Sequence, residues 1–187
     1  MSHKQDHLLK LLIKHVDQSP DEPFLYTKQN NSFKIAHTYQ TLMDSVSSFA
    51  MALIDLGVQE ADRVAIFSNN CPEWVIADLA ILSLNAIVVP LYPTLSKDDC
   101  DYILNDAKTT IVIAQTKAMT QLISDIQLSR SFLKHVISIE DNAHSLVMNH
   151  LIQSFPPTLP KITVSDNVLA SLLTDHSTAI ACPCFGR

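Results

Sequence analysis

Residues 56–94 read LGVQEADRVAIFSNNCPEWVIADLAILSLNAIVVPLYPT. The run Arg63–Phe67 is short, apolar and partly β-branched, which is typical of a buried strand. A polar loop follows, and Pro72 then stands where the first turn of a helix tolerates proline. The helix predicted from Pro72 to about Leu84 leads directly into a second apolar run, Ile87–Leu91. The order of strand, helix and strand predicts a βαβ unit.

Three short motifs lie in register along this stretch: Asn69, the triplet 72–74 (PEW) and the segment 90–94 (PLYPT). Together they resemble the N-terminal region of adenylate-forming (AMP-binding) acyl-CoA synthetases, most closely the long-chain fatty-acid–CoA ligases. Enzymes of that family activate a carboxylate with ATP and then pass the acyl group to the thiol of coenzyme A. The resemblance covers nearly all of the chain up to Ile180. It implies ATP, magnesium and coenzyme A as cofactors, and fatty acid as substrate, for the full-length family.

The flanking segments continue the alternation of helices and strands, which predicts a doubly wound α/β fold. Its sheet is expected to be mostly parallel and flanked by helices, after an N-terminal helix and a hairpin. Relative to the family's full N-terminal domain, the fold is expected to be incomplete. The predicted elements are a helix with apolar positions at Leu8, Leu9, Leu11, Leu12 and Val16, a hairpin of strands 24–27 and 33–36 around a turn at 29–31, a helix between Thr38 and Gly57, a helix after Ser96, strands 110–114 and 135–139, a helix over 117–128, and a short helix near 146–152 within a connector over 142–175.

Several single residues mark the ends of these elements. Thr38 and Ser96 are predicted N-caps, and Gly57 is predicted to end a helix in the left-handed conformation. The resembled family has glycine where this chain has Ala61 and Asn85. Asn85 joins a helix to a strand, and asparagine is the best substitute for glycine where the backbone is left-handed. The fold is therefore expected to tolerate Asn85.

Length and composition favour one domain. With 187 residues, of which 47% are apolar, the chain can bury about 70% of the surface of its unfolded state. Thirteen basic and nineteen acidic residues give a net charge of −6, without a basic tract, so nucleic acid is not an expected partner. Lys4, Asp6 and Lys10 interrupt the leucines near the N-terminus. This pattern indicates an amphipathic helix instead of a signal peptide, and a cytoplasmic location is expected.

The run 74–91 is the one candidate for a membrane span, because it is long and mostly apolar. An aspartate near the centre of such a helix costs about 2.5–3.5 kcal/mol on insertion scales, and Asp78 lies there. Asn85 adds a second polar group, and Pro90 would break the helix before it crossed the bilayer. A core helix followed by a core strand is the favoured interpretation, so no transmembrane segment is expected.

Cysteine and histidine patterns do not predict a metal site. His3 and His7 are the one histidine pair at helical i, i+4 spacing, and no carboxylate or cysteine set completes a site around them. The C-x-C spacing near the C-terminus does not match a tetrahedral zinc knuckle. Reduced thiols that bind no metal are therefore expected at all four cysteines, Cys71, Cys100, Cys182 and Cys184.

Glycine is scarce: the chain contains only Gly57 and Gly186, where roughly a dozen are expected at the usual frequency. Loops that cradle phosphates need several closely spaced glycines, so no glycine-rich nucleotide loop is predicted. In the resembled family a Ser/Thr/Gly-rich phosphate loop follows a strand, and residues 175–180 match the lead-in to that loop. The final residues 181–187 (ACPCFGR) match nothing in the family.

We therefore expect residues 1–180 to form part of the N-terminal domain of an AMP-binding acyl-CoA synthetase, and residues 181–187 to be a tail foreign to the family. A frameshift, a rearrangement or a premature stop in a longer gene is the expected origin of that tail. This origin predicts that the DNA downstream of the stop codon encodes, in one of its forward reading frames, a Ser/Thr/Gly-rich loop followed by Pro-Lys-Gly. A natural short product and an engineered fragment are the alternatives.

The acidic and aromatic residues of the decisive stretch each have a structural interpretation. Glu73 in a first helical turn stabilises the helix dipole, Asp62 precedes a strand, and Asp78 lies one turn into the helix. Trp74 and Tyr92 are more often core residues than pocket walls. No nucleophile or base stands at a readable spacing from any of them. The resemblance implies that the catalytic segments of the full-length enzymes lie outside the part that this chain matches. No catalytic, cofactor-binding or metal-binding residue is therefore assigned.

The sequence thus predicts the N-terminal α/β portion of an ATP-dependent long-chain fatty-acid–CoA ligase, inactive on its own and without a cofactor of its own. The alternative is a stand-alone, non-catalytic α/β module for binding or interaction. Apolar surface left uncovered is expected to promote self-association. The solution behaviour of the isolated chain, monodisperse or aggregated, discriminates between the two interpretations.

Overall fold

The computed structural model describes residues 8–142 and 145–158, together with the residue pairs 173–174 and 179–180. The helices are α1 (Leu8–Gln18), α2 (Tyr39–Asp55), α3 (Pro72–Ser83), α4 (Lys97–Ala107), α5 (Lys117–Gln127) and α6 (Met148–Ser154). The strands are β1 (Pro23–Gln29), β2 (Ser32–Thr38), β3 (Arg63–Phe67), β4 (Ile87–Leu91), β5 (Ile111–Ala114), β6 (His135–Ser138), β7 (Leu146–Val147), β8 (Leu173–Thr174) and β9 (Ala179–Ile180). Every element predicted within the stretch 56–94 is present with the predicted type.

Five parallel strands form the main sheet in the order β4-β3-β5-β6-β7. Strand β3 lies between its two successors in the chain, because Ala65 pairs with Val89 of β4 and with Val112 of β5. The chain therefore adds β4 on one side of β3 and then crosses over to add β5, β6 and β7 on the other. This reversal defines a doubly wound sheet, which confirms the predicted fold class.

Both faces of the sheet are buried. Because successive side chains of a strand point to opposite faces, β3 contributes to two cores. Val64 and Ile66 join the core that also contains residues of α1, α2, α3 and α6, whereas Ala65 and Phe67 join the core formed with α4 and α5. Burial on both faces explains why β3 reads as a continuous apolar run without alternation.

Helix α2 begins and ends at the residues that the sequence predicts. Thr38 is its N-cap: the Thr41 backbone N–H donates to Thr38 Oγ1 at 3.3 Å, and the Thr38 backbone N–H donates to Thr41 Oγ1 at 2.9 Å. At the other end Gly57 has φ +89°, and a Cβ added there would meet nothing within 4 Å. The backbone conformation, and not lack of space, therefore requires glycine. The N–H groups of Gly57 and Val58 donate to carbonyls of the last turn of α2, which completes a Schellman motif.

Strands β1 and β2 form a separate antiparallel hairpin. Gln29 pairs with Ser32, so the connection has two residues, Asn30 and Asn31. Both have positive φ, +46° and +63°. Positive φ at both central residues is the signature of a type I′ turn, whose twist matches that of the strands. The predicted turn at 29–31 is confirmed.

Two left-handed residues hold the βαβ unit together at its amino edge. Asn85, between α3 and β4, has φ +53°, as predicted, and Ala61, before β3, has φ +64°. The Ala61 N–H donates to the Asn85 carbonyl at 3.0 Å, and the Ile87 N–H donates to the Asp62 carbonyl at 2.7 Å. The two bends are therefore bonded to each other. They occupy the two positions where the resembled family has glycine.

The segment predicted as a connector contributes to the sheet, so that prediction is wrong for its first part. The short helix was expected near 146–152, but Leu146–Val147 form strand β7, which pairs in parallel with β6. Helix α6 starts afterwards, at Met148, and its first residue is buried in the main core. The strand pairing takes precedence here because Val147 and Met148 bury apolar side chains that a solvated connector would expose.

The run 74–91, considered above as a candidate membrane span, is divided between helix α3 and strand β4. Within the described part of the chain, no helix has the length and apolar content that a membrane crossing needs. Ala179–Ile180, the end of the expected lead-in strand, form β9 and pair with β8. Two segments lie outside the described residues: the rest of that lead-in (175–178) and the tail 181–187. The same holds for four residues expected to be free of metal, His3, His7, Cys182 and Cys184.

Replacing Ala61 with glycine is expected to raise the free energy of unfolding by about 0.5–1 kcal/mol, because glycine has no Cβ to strain at positive φ. Asn85→Gly is expected to stabilise the fold or leave it unchanged for the same reason. The matched control is Ala118→Gly, at an exposed position of α5, which is expected to destabilise by about 0.5–1 kcal/mol. Urea unfolding of the three variants measures this. A loss of stability in Ala61→Gly would contradict the assignment of strain to that residue.

Candidate functional site

At the carboxyl edge of the main sheet, the side on which the chain adds its next strand changes between β3 and β5. The connection after β3 leads to β4 on one side, and the connection after β5 leads to β6 on the other. In open α/β sheets such a switch point leaves a crevice outside the carboxyl ends of the two strands, and ligands bind there. The residues at this point are Ser68 and Asn69 after β3, and Gln115 after β5.

A single side-chain oxygen ties the two loops together. Gln115 Oε1 accepts hydrogen bonds from the Asn69 backbone N–H at 2.9 Å and from Asn69 Nδ2 at 3.0 Å. Ser68 Oγ donates to the Asn69 carbonyl at 2.7 Å and lies 3.4 Å from the same Gln115 oxygen. The Gln115 backbone N–H in turn donates to the Phe67 carbonyl at 3.0 Å. The crevice therefore has a fixed floor of amide and hydroxyl groups.

The amino end of α3 points into the same region. Cys71 is its N-cap residue, with extended backbone and no side-chain cap, and Pro72 opens the helix. The Cys71 sulfur lies 3.5 Å from Ser68 Oγ. Burial raises the pKa of the Cys71 thiol, although the hydrogen bond with Ser68 lowers it. The thiol is therefore protonated near neutral pH, which makes it a poor nucleophile.

Buried hydroxyl groups continue this edge at β6. Thr120 Oγ1 donates to Ser138 Oγ at 3.2 Å, and Ser138 Oγ donates to the Glu140 carbonyl at 2.7 Å. Thr116 caps α5 by accepting from the Met119 N–H. These groups bond to each other and to the backbone. They fix the loops after β5 and β6 relative to the switch point.

The three acidic residues considered in the sequence analysis lie in different parts of the fold. Asp62 Oδ2 accepts from the Gln59 N–H at 2.9 Å, before β3 and so at the amino edge. Glu73 lies in the first turn of α3, as expected. Asp78 is half-buried in the middle of α3. Over the described residues, no group of three or more histidine, cysteine or acidic side chains could hold a metal ion.

Arg63 has a structural role that its neighbour Asp62 does not share. Its Nε donates to the Ala107 carbonyl at 2.7 Å, and its Nη1 donates to the Ala61 carbonyl at 3.0 Å. Ala107 ends α4, so the guanidinium binds free carbonyls of that helix and of the left-handed bend. Positive charge at a helix C-terminus is stabilising. Asp62 and Arg63 therefore contact different partners at the amino edge of the sheet.

The two aromatic residues considered as core or pocket residues differ in environment. Trp74 packs partly buried against the main core, as expected. Tyr92 is 68% exposed, so its interpretation as a core residue is wrong. Tyr92 directly follows β4, in the turn that leads to α4.

Sequence reasoning missed Gln115, which organises the switch point. One signal was available: Gln115 is the first polar residue after a buried strand, as Ser68 is after β3. The groups at the switch point itself are neutral amides, a hydroxyl and a protonated thiol, whereas the charged residues Lys117 and Glu140 lie in the flanking segments after β5 and β6. The groups at the switch point can orient a polar ligand through hydrogen bonds, but they cannot neutralise phosphate charge or transfer protons near neutral pH.

Gln115→Ala is expected to lower the free energy of unfolding by about 1–2 kcal/mol, because the two Asn69 donors lose their shared acceptor. Hydrogen exchange of the loop 68–71 should accelerate in the same variant. The matched control is Gln121→Ala, whose exposed side chain makes one hydrogen bond, to Asp125 Oδ1, and which should change stability by less than about 0.5 kcal/mol. Equal effects of the two substitutions would show that Gln115 does not organise the loop.

Asp78 is expected to make stability fall as pH rises. Burial raises the pKa of its carboxyl from 3.8 to about 6, so the folded state binds more protons than the unfolded state between these values. Stability is therefore full below pH about 4, falls up to pH about 6 and stays reduced above it. A shift of two units corresponds to at most about 3 kcal/mol.

Asp78→Asn should remove this penalty and stabilise the fold by about 1–3 kcal/mol at pH 7–8, with little effect at pH 4. Asp125→Asn, at an exposed position of α5, is the matched control and should change stability little at either pH. Thermal unfolding across this pH range measures both variants. A pH-independent effect of Asp78→Asn would show that its carboxyl titrates normally.

Comparison with known proteins agrees with this architecture. The AMP-binding enzyme family matches residues 12–171. A long-chain-fatty-acid–CoA ligase of Mycobacterium bovis is 29% identical over 136 residues, which are 73% of this chain and 22% of the relative. Long chain acyl-CoA synthetase 4 of Arabidopsis thaliana is 28% identical over 127 residues, which are 66% of this chain and 19% of the relative.

The chain thus spans about a fifth of the length of these relatives. Among solved structures, the anthranilate CoA ligase AuaEII in complex with anthranoyl-AMP matches with a TM-score of 0.77 at 22% identity, over 88% of this chain and 30% of that one. At that identity the structural match shows the fold alone. Because the family match extends over most of the sequence, residues 12–171 of 187, this chain belongs to the AMP-binding enzyme family.

Proposed function

We propose that this chain is the N-terminal α/β portion of an ATP-dependent long-chain fatty-acid–CoA ligase. The parent enzyme would join a fatty acid to AMP with release of pyrophosphate, and would then transfer the acyl group to the thiol of coenzyme A. ATP, magnesium and coenzyme A are the cofactors of that complete reaction. The observation that carries the proposal is the match of residues 12–171 to the AMP-binding enzyme family.

The substrate class rests on the names of the relatives. The Mycobacterium bovis and Arabidopsis thaliana relatives are both named for long-chain acyl substrates. The doubly wound sheet supports ligand binding more generally, because the hydrogen-bonded groups at its switch point can orient a polar ligand. Asn69 belongs both to these groups and to the motifs that carry the resemblance. Its two donors are held by Gln115 at 2.9 and 3.0 Å.

We further propose that the 187-residue chain does not form an acyl-adenylate by itself. Stabilising the transferred charge on ATP phosphates needs preorganised cations or closely spaced backbone N–H donors. The switch point supplies neutral groups at Ser68, Asn69 and Gln115, and the sequence contains two glycines. Residues 1–180 would then be part of the N-terminal domain, with 181–187 outside it. A cytoplasmic location for the chain belongs to the same proposal.

Fatty-acid-dependent exchange between ATP and pyrophosphate tests the missing activity. Purified protein is incubated with labelled pyrophosphate, ATP, magnesium and palmitate, with a complete ligase of the family as the positive control. We expect exchange no higher than that of heat-inactivated protein. Clear exchange above that level would contradict the proposal that the chain is inactive alone.

A stand-alone module for binding or interaction is the rival function, and solution behaviour separates the two. A ligase portion is proposed to self-associate through apolar surface that further parts of the enzyme would cover. Size-exclusion chromatography with light scattering measures this. A monodisperse, stable monomer would favour the independent module.

A further inference from the structure

The outer face of the β1–β2 hairpin is apolar and exposed. Tyr26 pairs with Ile35, and Lys28 pairs with Phe33. Directly opposite residues of antiparallel strands share a face, as do residues two apart on one strand, so these four side chains lie together. Tyr26 is 52% exposed, Ile35 56% and Phe33 73%. We refer to these four residues as the hairpin face.

The hairpin is held to the domain at its base, which fixes the direction of this face. Leu25 lies on the other side of β1 and packs against the main core. The ring of Phe24 contacts that of Tyr39 in α2, with centroids 4.8 Å apart. At the far end the type I′ turn holds the strand ends in register. The hairpin face is therefore preorganised.

The charge around the hairpin is opposite to that of the whole protein. Residues 23–43 contain no aspartate or glutamate, although the chain has a net charge of −6. The same segment contains Lys28 and Lys34, and both are exposed. The nearest acidic residues in sequence are Glu22, before β1, and Asp44, within α2. The projecting end of the hairpin thus combines apolar side chains with two positive charges.

We propose that the hairpin face docks on the surface of an anionic phospholipid bilayer. Phe33 and Ile35 would enter the boundary between headgroups and acyl chains, and Tyr26 would lie at headgroup level, where aromatic rings with a polar end concentrate. Lys28 would contact anionic headgroups while its aliphatic stem covers apolar surface. Lys34 pairs with Thr27 on the opposite face of the hairpin, and its charge would add to the attraction of the hairpin to an anionic surface. The charge complementarity favours an anionic bilayer over a neutral apolar partner. This docking does not depend on the proposed ligase function.

Vesicle flotation of the 187-residue chain tests the docking. We expect it to float with vesicles of phosphatidylcholine and phosphatidylglycerol, and much less with phosphatidylcholine alone. Phe33→Ser should lower the partition coefficient about fivefold or more by removing the most exposed apolar side chain of the hairpin face. The double variant Lys28→Gln with Lys34→Gln should lower binding to the anionic vesicles about tenfold or more. High salt should weaken binding of the unaltered chain more than that of the double variant.

The matched control is Leu128→Ser, because Leu128 is 89% exposed and lies after α5, outside the hairpin. Its flotation should equal that of the unaltered chain, and circular dichroism should show that all variants are folded. Absence of flotation with both vesicle types would overturn the proposal, as would equal losses in Leu128→Ser and Phe33→Ser. A dimer that Phe33→Ser dissociates, without flotation of the unaltered chain, would overturn it by assigning the face to a second copy.

Discussion

Strand β3 is hydrogen-bonded to β4 on one side and to β5 on the other, and its alternate side chains belong to two different cores. Every other layer of the domain is placed relative to this strand. Helices α1, α2, α3 and α6 contribute to the core on its Val64 and Ile66 face, and α4 and α5 contribute to the core on its Ala65 and Phe67 face. A polar side chain at any of these four positions would bury an unsatisfied group in one of the cores. The same strand positions the switch point, because the crevice opens where the connections after β3 and β5 lead to opposite sides of the sheet.

Features that depend on neighbouring residues were predictable from the sequence. The cap at Thr38 and the left-handed residues Gly57 and Asn85 follow from local rules of side-chain chemistry and backbone sterics. The apolar run of β3 predicted burial on both faces for the same reason. Strand β7 was not predictable in this way. Its two residues, Leu146–Val147, precede helical residues directly, and only pairing with the distant β6 makes them a strand.

The organisation of the candidate site depends on contacts between distant segments, which local patterns do not encode. Asn69 was visible as a motif residue, but its partner Gln115 is 46 residues away. That pair forms only because β5 lies beside β3 in the observed register, with Phe67 opposite Ala114. A polar residue after a strand indicates the carboxyl edge. Which polar residues meet there is decided by the order of strands in the sheet.

The chemistry of this edge limits what the segment contributes to an adenylate-forming enzyme. Adenylation develops negative charge on phosphate oxygens, and neutral amides and hydroxyls that already bond to each other supply little compensating charge. They supply rigidity instead, since Gln115 Oε1 fixes the loop after β3 through the Asn69 backbone and side chain. If the chain acts as proposed, its part in the reaction is positional. The Cys71 thiol agrees with that role, because burial raises its pKa and keeps it protonated.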